Sequence, residues 1–222
     1  MTQTQRYAER RNKLAARLQE RDLPGLLVTD LKNVRYLTGF SGSNAVYLQR
    51  PDGRGVLGTD GRYATQVEIE TGNPEDVEIL IDNKLLEQVP ERAQVTGFAV
   101  ESSLSIGEAK KLAADGPLPE VAAGIVEELR LAKDSAETAA LEAAGALADS
   151  VWQEFLDEGG IREGRTEIEA AADLEYRLRK AGAEALSFDT ILASGVNATK
   201  PHAGVSRDPI VPGLVTVDFG IY

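Results

Sequence analysis

Two side chains near the end of the sequence have the chemistry of a metal or proton-transfer site. His202 is the single histidine of the 222 residues and lies in Lys200-Pro-His202-Ala-Gly204. Asp218 follows the apolar run Leu214-Val-Thr-Val217 and precedes Phe219-Gly220. An imidazole in a loop shaped by Pro and Gly could bind substrate or move a proton near neutral pH. A carboxylate at the end of a buried strand costs free energy unless it is paired or bound to a metal, and its oxygens suit Mn²⁺, Mg²⁺ or Zn²⁺. Each residue also has a plain structural reading, Asp218 as a turn cap and His202 as a loop residue without a role. Ser194 and Asn197, in Ala193-Ser-Gly-Val-Asn197, form a polar loop after a strand. Such a loop can shape a pocket or serve only as a turn.

Other chemistries are excluded by composition. The chain has no cysteine, so it has no disulfide, no Cys-ligated zinc or iron–sulfur cluster and no thiol nucleophile. One histidine cannot build an HExxH zinc site, and no G-x-S-x-G elbow is present. Asn33-Val-Arg-Tyr-Leu-Thr-Gly-Phe-Ser-Gly-Ser43 has glycines and serines but not the spacing of a phosphate loop, so it reads as a short helix and a shaped loop. Thr59-Asp-Gly-Arg-Tyr63 reads as a turn leading into a helix. With 36 acidic and 24 basic residues the net charge is −12, which argues against a nucleic-acid partner. No apolar run approaches the ~20 residues of a membrane span. The charged N-terminus has no apolar core behind it, so no signal peptide is expected and a cytoplasmic location is.

The elements that must position these residues fall into two groups. Tyr7, Leu14 and Leu18 share one side of a helix over 5–21. Strands are expected at 26–29, 77–81 and 97–100, with a hairpin of 45–48 and 55–57 around Pro51-Asp-Gly53. Helices are expected over 62–70 and, opened by the capping box Ser105-Ile-Gly-Glu108, to about 114. Alternating strands and helices give an α/β layer with a mostly parallel or mixed sheet. The character changes between 124 and 133. Asp134-Ser-Ala-Glu137 caps an Ala-rich helix to 157, and Thr166-Glu-Ile-Glu169 caps another to 180, closed by Gly182. Strands at 190–192 and 214–217 follow. This second part is α+β, and ending on a strand leaves an open edge. A fragment of a longer protein is therefore expected.

Three groups of residues together resemble the Xaa-Pro peptidases of the aminopeptidase P and prolidase family. Asn33 to Ser43 and Thr59 to Tyr63 resemble its creatinase-like N-terminal domain. Glu128-Leu-Arg-Leu-Ala-Lys133, followed by Glu137, resembles its interdomain junction. Ser187-Phe-Asp-Thr-Ile-Leu-Ala-Ser-Gly195, Pro201-His202 and Val217-Asp218-Phe-Gly220 resemble the start of its catalytic domain. The resemblance implies an α/β creatinase-like domain with a mixed sheet over 1–127 and an incomplete α+β pita-bread domain over 128–222. It implies cleavage before proline in peptides or dipeptides, two divalent metals (manganese first, cobalt or zinc as alternatives) and a homodimer. Asp218 matches the first of the family's metal-binding aspartates. His202 matches a histidine that faces the substrate without binding metal. The four other ligands have no counterpart before Tyr222, so the 222 residues alone are expected to be inactive. The run Ala203-Gly-Val-Ser-Arg-Asp-Pro209 departs from the family's usual wording, which puts fine substrate contacts in doubt. Two other functions compete. One is a metal-free, creatinase-like amidinohydrolase with His202 as the main acid and base. The other is a non-catalytic scaffold or dimer partner.

Overall fold

The structure, a computed structural model, describes residues 2–222. It divides into two compact units, Met1–Ala132 and Lys133–Tyr222.

The first unit runs α1 (Gln3–Glu20), β1 (Leu26–Val28), α2 (Leu31–Thr38), β2 (Ala45–Gln49), β3 (Gly55–Thr59), α3 (Ala64–Thr71), β4 (Val77–Ile81), α4 (Leu85–Ala93), β5 (Ala99–Val100), α5 (Ile106–Ala113) and α6 (Ile125–Leu131). The sheet order is β4-β3-β2-β1-β5. β1–β2 and β2–β3 are antiparallel, while β1–β5 and β3–β4 are parallel, so the sheet is mixed as expected. Every residue of β1, β2 and β3 is buried. Apolar runs without alternation follow, because helices cover both faces. On one face Leu26, Val28, Tyr47 and Leu57 pack with Leu14 and Leu18 of α1, Val34 and Leu37 of α2 and Ile125 of α6. On the other, Leu27, Val46, Leu48 and Val56 meet Leu85, Val89 and Ala93 of α4.

Among the buried polar groups of this unit, Arg11 and Glu101 each join several elements and are fully hydrogen-bonded. Arg11 of α1 is 1% exposed. Its guanidinium donates to both oxygens of Asp76, each at 2.8 Å, and to the Leu37 carbonyl at 2.9 Å. It thereby ties α1 to the end of α2 and to the turn before β4. Glu101, after β5, accepts from the Thr29 and Asp30 amides at 2.7 and 2.8 Å and from Asn33 Nδ2 at 2.6 Å. Asn33 also donates to Glu127 at 2.7 Å and accepts from Arg130 at 2.8 Å, both on α6. Burial pushes Glu101 above its ordinary value, and the nearby Glu127 charge adds to that. The Asp30, Asn33 and Thr29 donors offset only part of it.

The second unit contains α7 (Ser135–Asp157), α8 (Glu167–Ala181), β6 (Ile191–Ser194) and β7 (Val215–Asp218). The expected capping boxes at Asp134 and Thr166 are both formed, as is that at Ser105 in the first unit. Val151 and Phe155 of α7 pack against Ala170, Ala171, Leu174 and Leu178 of α8, with Leu192 of β6 and Ile210 completing the core. Phe155 is fully buried, with Trp152 stacked at 5.7 Å. A Cβ built on Gly160 would lie 2.4 Å from the Phe155 ring, so this turn tolerates no side chain.

Two helices depart from the sequence expectation. Neither α4 nor α6 has a side-chain N-cap, α4 carries Pro90 and α6 begins on Gly124 at φ +77°. Their local signals are weak, and tertiary burial supplies the stabilisation, of Leu85 and Val89 on the sheet and of Ile125 and Val126 among the residues of α1, α2 and the sheet.

Arg11→Met keeps much of the volume but removes the donors to Asp76 and to the buried Leu37 carbonyl. Because Asp76 is one third exposed and can be rehydrated, the change should cost about 2 kcal/mol in urea unfolding followed at β1 and β2 amides. A loss below ~1 kcal/mol would show the pair to be dispensable. Glu101 has a raised folded pKa, so its contribution to stability is greatest below the unfolded value and declines as pH rises through the folded one. The stability of wild type relative to Glu101→Gln should thus increase between pH 7 and pH 5. A relative stability that decreased over that interval would contradict the raised value.

Candidate metal and substrate site

β6 and β7 form an antiparallel pair with Ile191 opposite Asp218 and Ser194 opposite Val215. That register places Asp218 beside the start of β6, where Asp189 and Thr190 precede the strand. The loop between the strands carries His202. A cavity of about 770 Å³ opens there, lined among others by Glu175 of α8, Asp189, Thr190, His202 and Asp218. Two residues 16 positions apart, singled out by type alone, thus line one cavity.

The setting of Asp218 differs from the expectation of a buried carboxylate. β7 alternates half-buried Val215 and Val217 with exposed Thr216 and Asp218. β7 pairs with β6 alone in this sheet, and Asp218 faces the open cavity rather than a core, so it carries little desolvation cost. His202 is also exposed, while the next residue, Ala203, is 2% exposed and anchors the loop. The Thr190 hydroxyl is buried and makes no hydrogen bond among the described residues.

The loop that carries His202 is held from both ends. Glu167, the first residue of α8, is 1% exposed. One of its oxygens accepts from the Ser194 amide at 2.7 Å. The other accepts from Asn197 Nδ2 at 2.7 Å and the Ser206 amide at 2.9 Å. Asn197 Nδ2 also donates to the Gly204 carbonyl at 3.0 Å. Burial raises the Glu167 pKa, but the Ser194, Ser206 and Asn197 donors outweigh it and hold the carboxyl below its ordinary value. Past Ser206 the chain runs along the start of α8, with the Ile168 and Glu167 amides donating to the Ser206 and Asp208 carbonyls. Sequence reasoning found Ser194 and Asn197 but read Glu167 only as part of a capping box. It also passed over Glu175.

The donors fit a divalent ion in type but not in number. Asp218 offers a hard carboxylate on an open cavity, yet no group of three His, Cys, Asp or Glu among the described residues is arranged to hold a metal. The glycine- and serine-rich loop of the first unit spends its donors internally, since the Ser41 amide and hydroxyl both bond Glu70 at 2.7 Å. No helix among the described residues is long and apolar enough to cross a membrane.

Comparison with known proteins agrees with this geometry. Residues 10–132 match the creatinase/prolidase N-terminal domain and residues 139–222 match metallopeptidase family M24. The chain is 34% identical over 209 residues to the uncharacterized peptidase YqhT of Bacillus subtilis, covering 90% of this chain and 57% of that protein. It is 29% identical to the Xaa-Pro dipeptidase of Pyrococcus furiosus, covering 96% of this chain and 60% of the relative. A solved Xaa-Pro dipeptidase from Bacillus anthracis superposes with a TM-score of 0.88 at 30% identity, over 97% of this chain and 61% of that one. The chain thus spans about three fifths of the length of these relatives. The first match takes in more than half of the chain, which therefore belongs to the creatinase/prolidase N-terminal domain family, and its second unit is similar to metallopeptidase family M24.

Proposed function

We propose that the whole protein hydrolyses the bond between an N-terminal residue and proline, as a Xaa-Pro dipeptidase or an aminopeptidase of the same specificity. The observation that carries this reading is that His202 and Asp218 line one cavity in a chain of this family. Relatives named Xaa-Pro dipeptidase, and a solved X-Pro aminopeptidase from Thermotoga maritima at 26% identity, support the substrate class. The peptide bond before proline has no N–H, and the proline φ is fixed, so a site can select it by shape and by the missing donor.

In this reading Asp218 binds one or both of two divalent ions, manganese first and cobalt or zinc as alternatives. The further ligands come from outside the described residues. His202 does not bind metal. Its imidazole holds the substrate by a hydrogen bond and can supply or take a proton at that contact. The 222 residues alone then neither hold the metal pair nor turn over substrate.

Activity of the whole protein on a Xaa-Pro dipeptide should vanish with a chelator and return with Mn²⁺. Asp218→Ala should lower kcat/KM by more than the ~10–100-fold lost when an outer-shell neighbour of a metal is removed. His202→Ala should lower it by about 100-fold or more while metal content is unchanged. Full activity in the Asp218 variant would sink the ligand role, and metal lost with His202 would refute its assignment to substrate. Purified 222-residue chain should show no heat of Mn²⁺ binding at micromolar concentration and no hydrolysis. Turnover that scaled with this polypeptide would overturn that part.

A further inference from the structure

We infer that Glu167 is the positioning residue for His202, its buried carboxylate gathering Ser194, Asn197 and Ser206 so that the loop presents the imidazole to the cavity. This rests on the reading of His202 as the group that faces the substrate. Between Ser194 and Ser206 the chain has little order of its own. The Thr199 and Lys200 amides close one short turn onto the Val196 and Asn197 carbonyls. From Pro201 to Val205 no backbone–backbone hydrogen bond is made among the described residues. The loop is therefore fixed from its flanks, and Glu167 takes a donor from each flank. It accepts from Ser194 where β6 ends and from Ser206 where the loop rejoins α8. Through Asn197 it reaches the Gly204 carbonyl, two residues past His202.

A carboxylate at the first position of a helix could serve only the helix, by interaction with the N-terminal end of its dipole. That role needs no burial. The capping of α8 is done by Thr166 and the exposed Glu169 instead, whose amide and carboxylate bond reciprocally with Thr166. Glu167 points away from that task, into donors 27, 30 and 39 residues along the chain. A carboxylate has about four acceptor sites, and three are filled here by groups of the His202 loop and its flanks. An uncharged side chain of the same size cannot accept from all three.

The single histidine makes this testable without turnover, because the imidazole gives one set of ¹H–¹⁵N signals in the 222-residue chain. Glu167→Gln keeps the size but turns one acceptor into a donor facing donors. The His202 signals should shift and broaden, and order parameters over 196–205 should fall from the ~0.85 of rigid backbone towards ~0.6 or below. The amides of β6 and of the middle of α8 should stay in place. Glu169→Gln on the same helix should leave His202 unmoved. Should Glu167→Gln fail to fold, Asn197→Ala tests the same link, since it keeps the carboxylate bonds to Ser194 and Ser206. It should loosen 198–205 and move the imidazole signals. An unmoved His202 in either single variant would overturn the assignment. None of these readouts involves metal or hydrolysis, so they stand or fall separately from the peptidase reading.

Discussion

A buried carboxylate must be surrounded by donors, and in both units that requirement organises the loops at the end of a strand. In the first unit Glu101 collects the amides of Thr29 and Asp30, just past β1, together with the Asn33 side chain. In the second, Glu167 collects the amides of Ser194 and Ser206 and the Asn197 side chain. The pattern is the same, two backbone amides and one asparagine on one carboxylate. The electrostatics differ. Glu101 shares Asn33 with a second carboxylate, Glu127, and is pushed towards its neutral form. Glu167 shares Asn197 with a neutral carbonyl, that of Gly204, rather than with a second carboxylate, and its pKa is lowered. The first arrangement joins a helix to a sheet. The second shapes the loop at the cavity that His202 and Asp218 both line.

What surrounds that loop is scaffold in the ordinary sense. α7 and α8 pack through Phe155, Leu174 and Leu178, and Leu192 carries β6 onto them. The β6–β7 register then decides which residue faces the cavity. A slip by one position would turn Asp218 inward and bring Val217 out. The groups proposed to carry the chemistry are exposed on an open cavity, while Glu167, proposed to fix the loop, is buried. That division follows from the cost of desolvating a charge that must stay free to bind.

Much of the fold was legible in the sequence because its signals are local. Capping boxes at Ser105, Asp134 and Thr166, the hairpin around Pro51-Asp-Gly53 and the apolar strands of the first sheet all declare themselves within a few residues. α4 and α6 were not legible, because neither has a capping side chain and both depend on tertiary contacts, α4 with the sheet and α6 with α1 and α2 as well. At the site, His202 and Asp218 stood out as residue types and through the family resemblance, and what the fold adds is that both line one cavity. The burial expected of Asp218 was wrong, because the apolar residues before it alternate with exposed positions in a strand that pairs on one side. Glu167 was hidden for a different reason. Its position looks like an ordinary first-turn acid, and its partners lie 27 to 39 residues away.

The central claim is that Asp218 and His202 belong to one site with separate duties. The most direct measurement is a crystal structure of the whole protein with Mn²⁺ and a proline-containing dipeptide, read by anomalous scattering. The expected result is an ion bound by the Asp218 carboxylate, at about the 2.0–2.2 Å of carboxylate–metal bonds, with His202 hydrogen-bonded to the dipeptide. An ion bound without Asp218, or coordinated by His202, would contradict it.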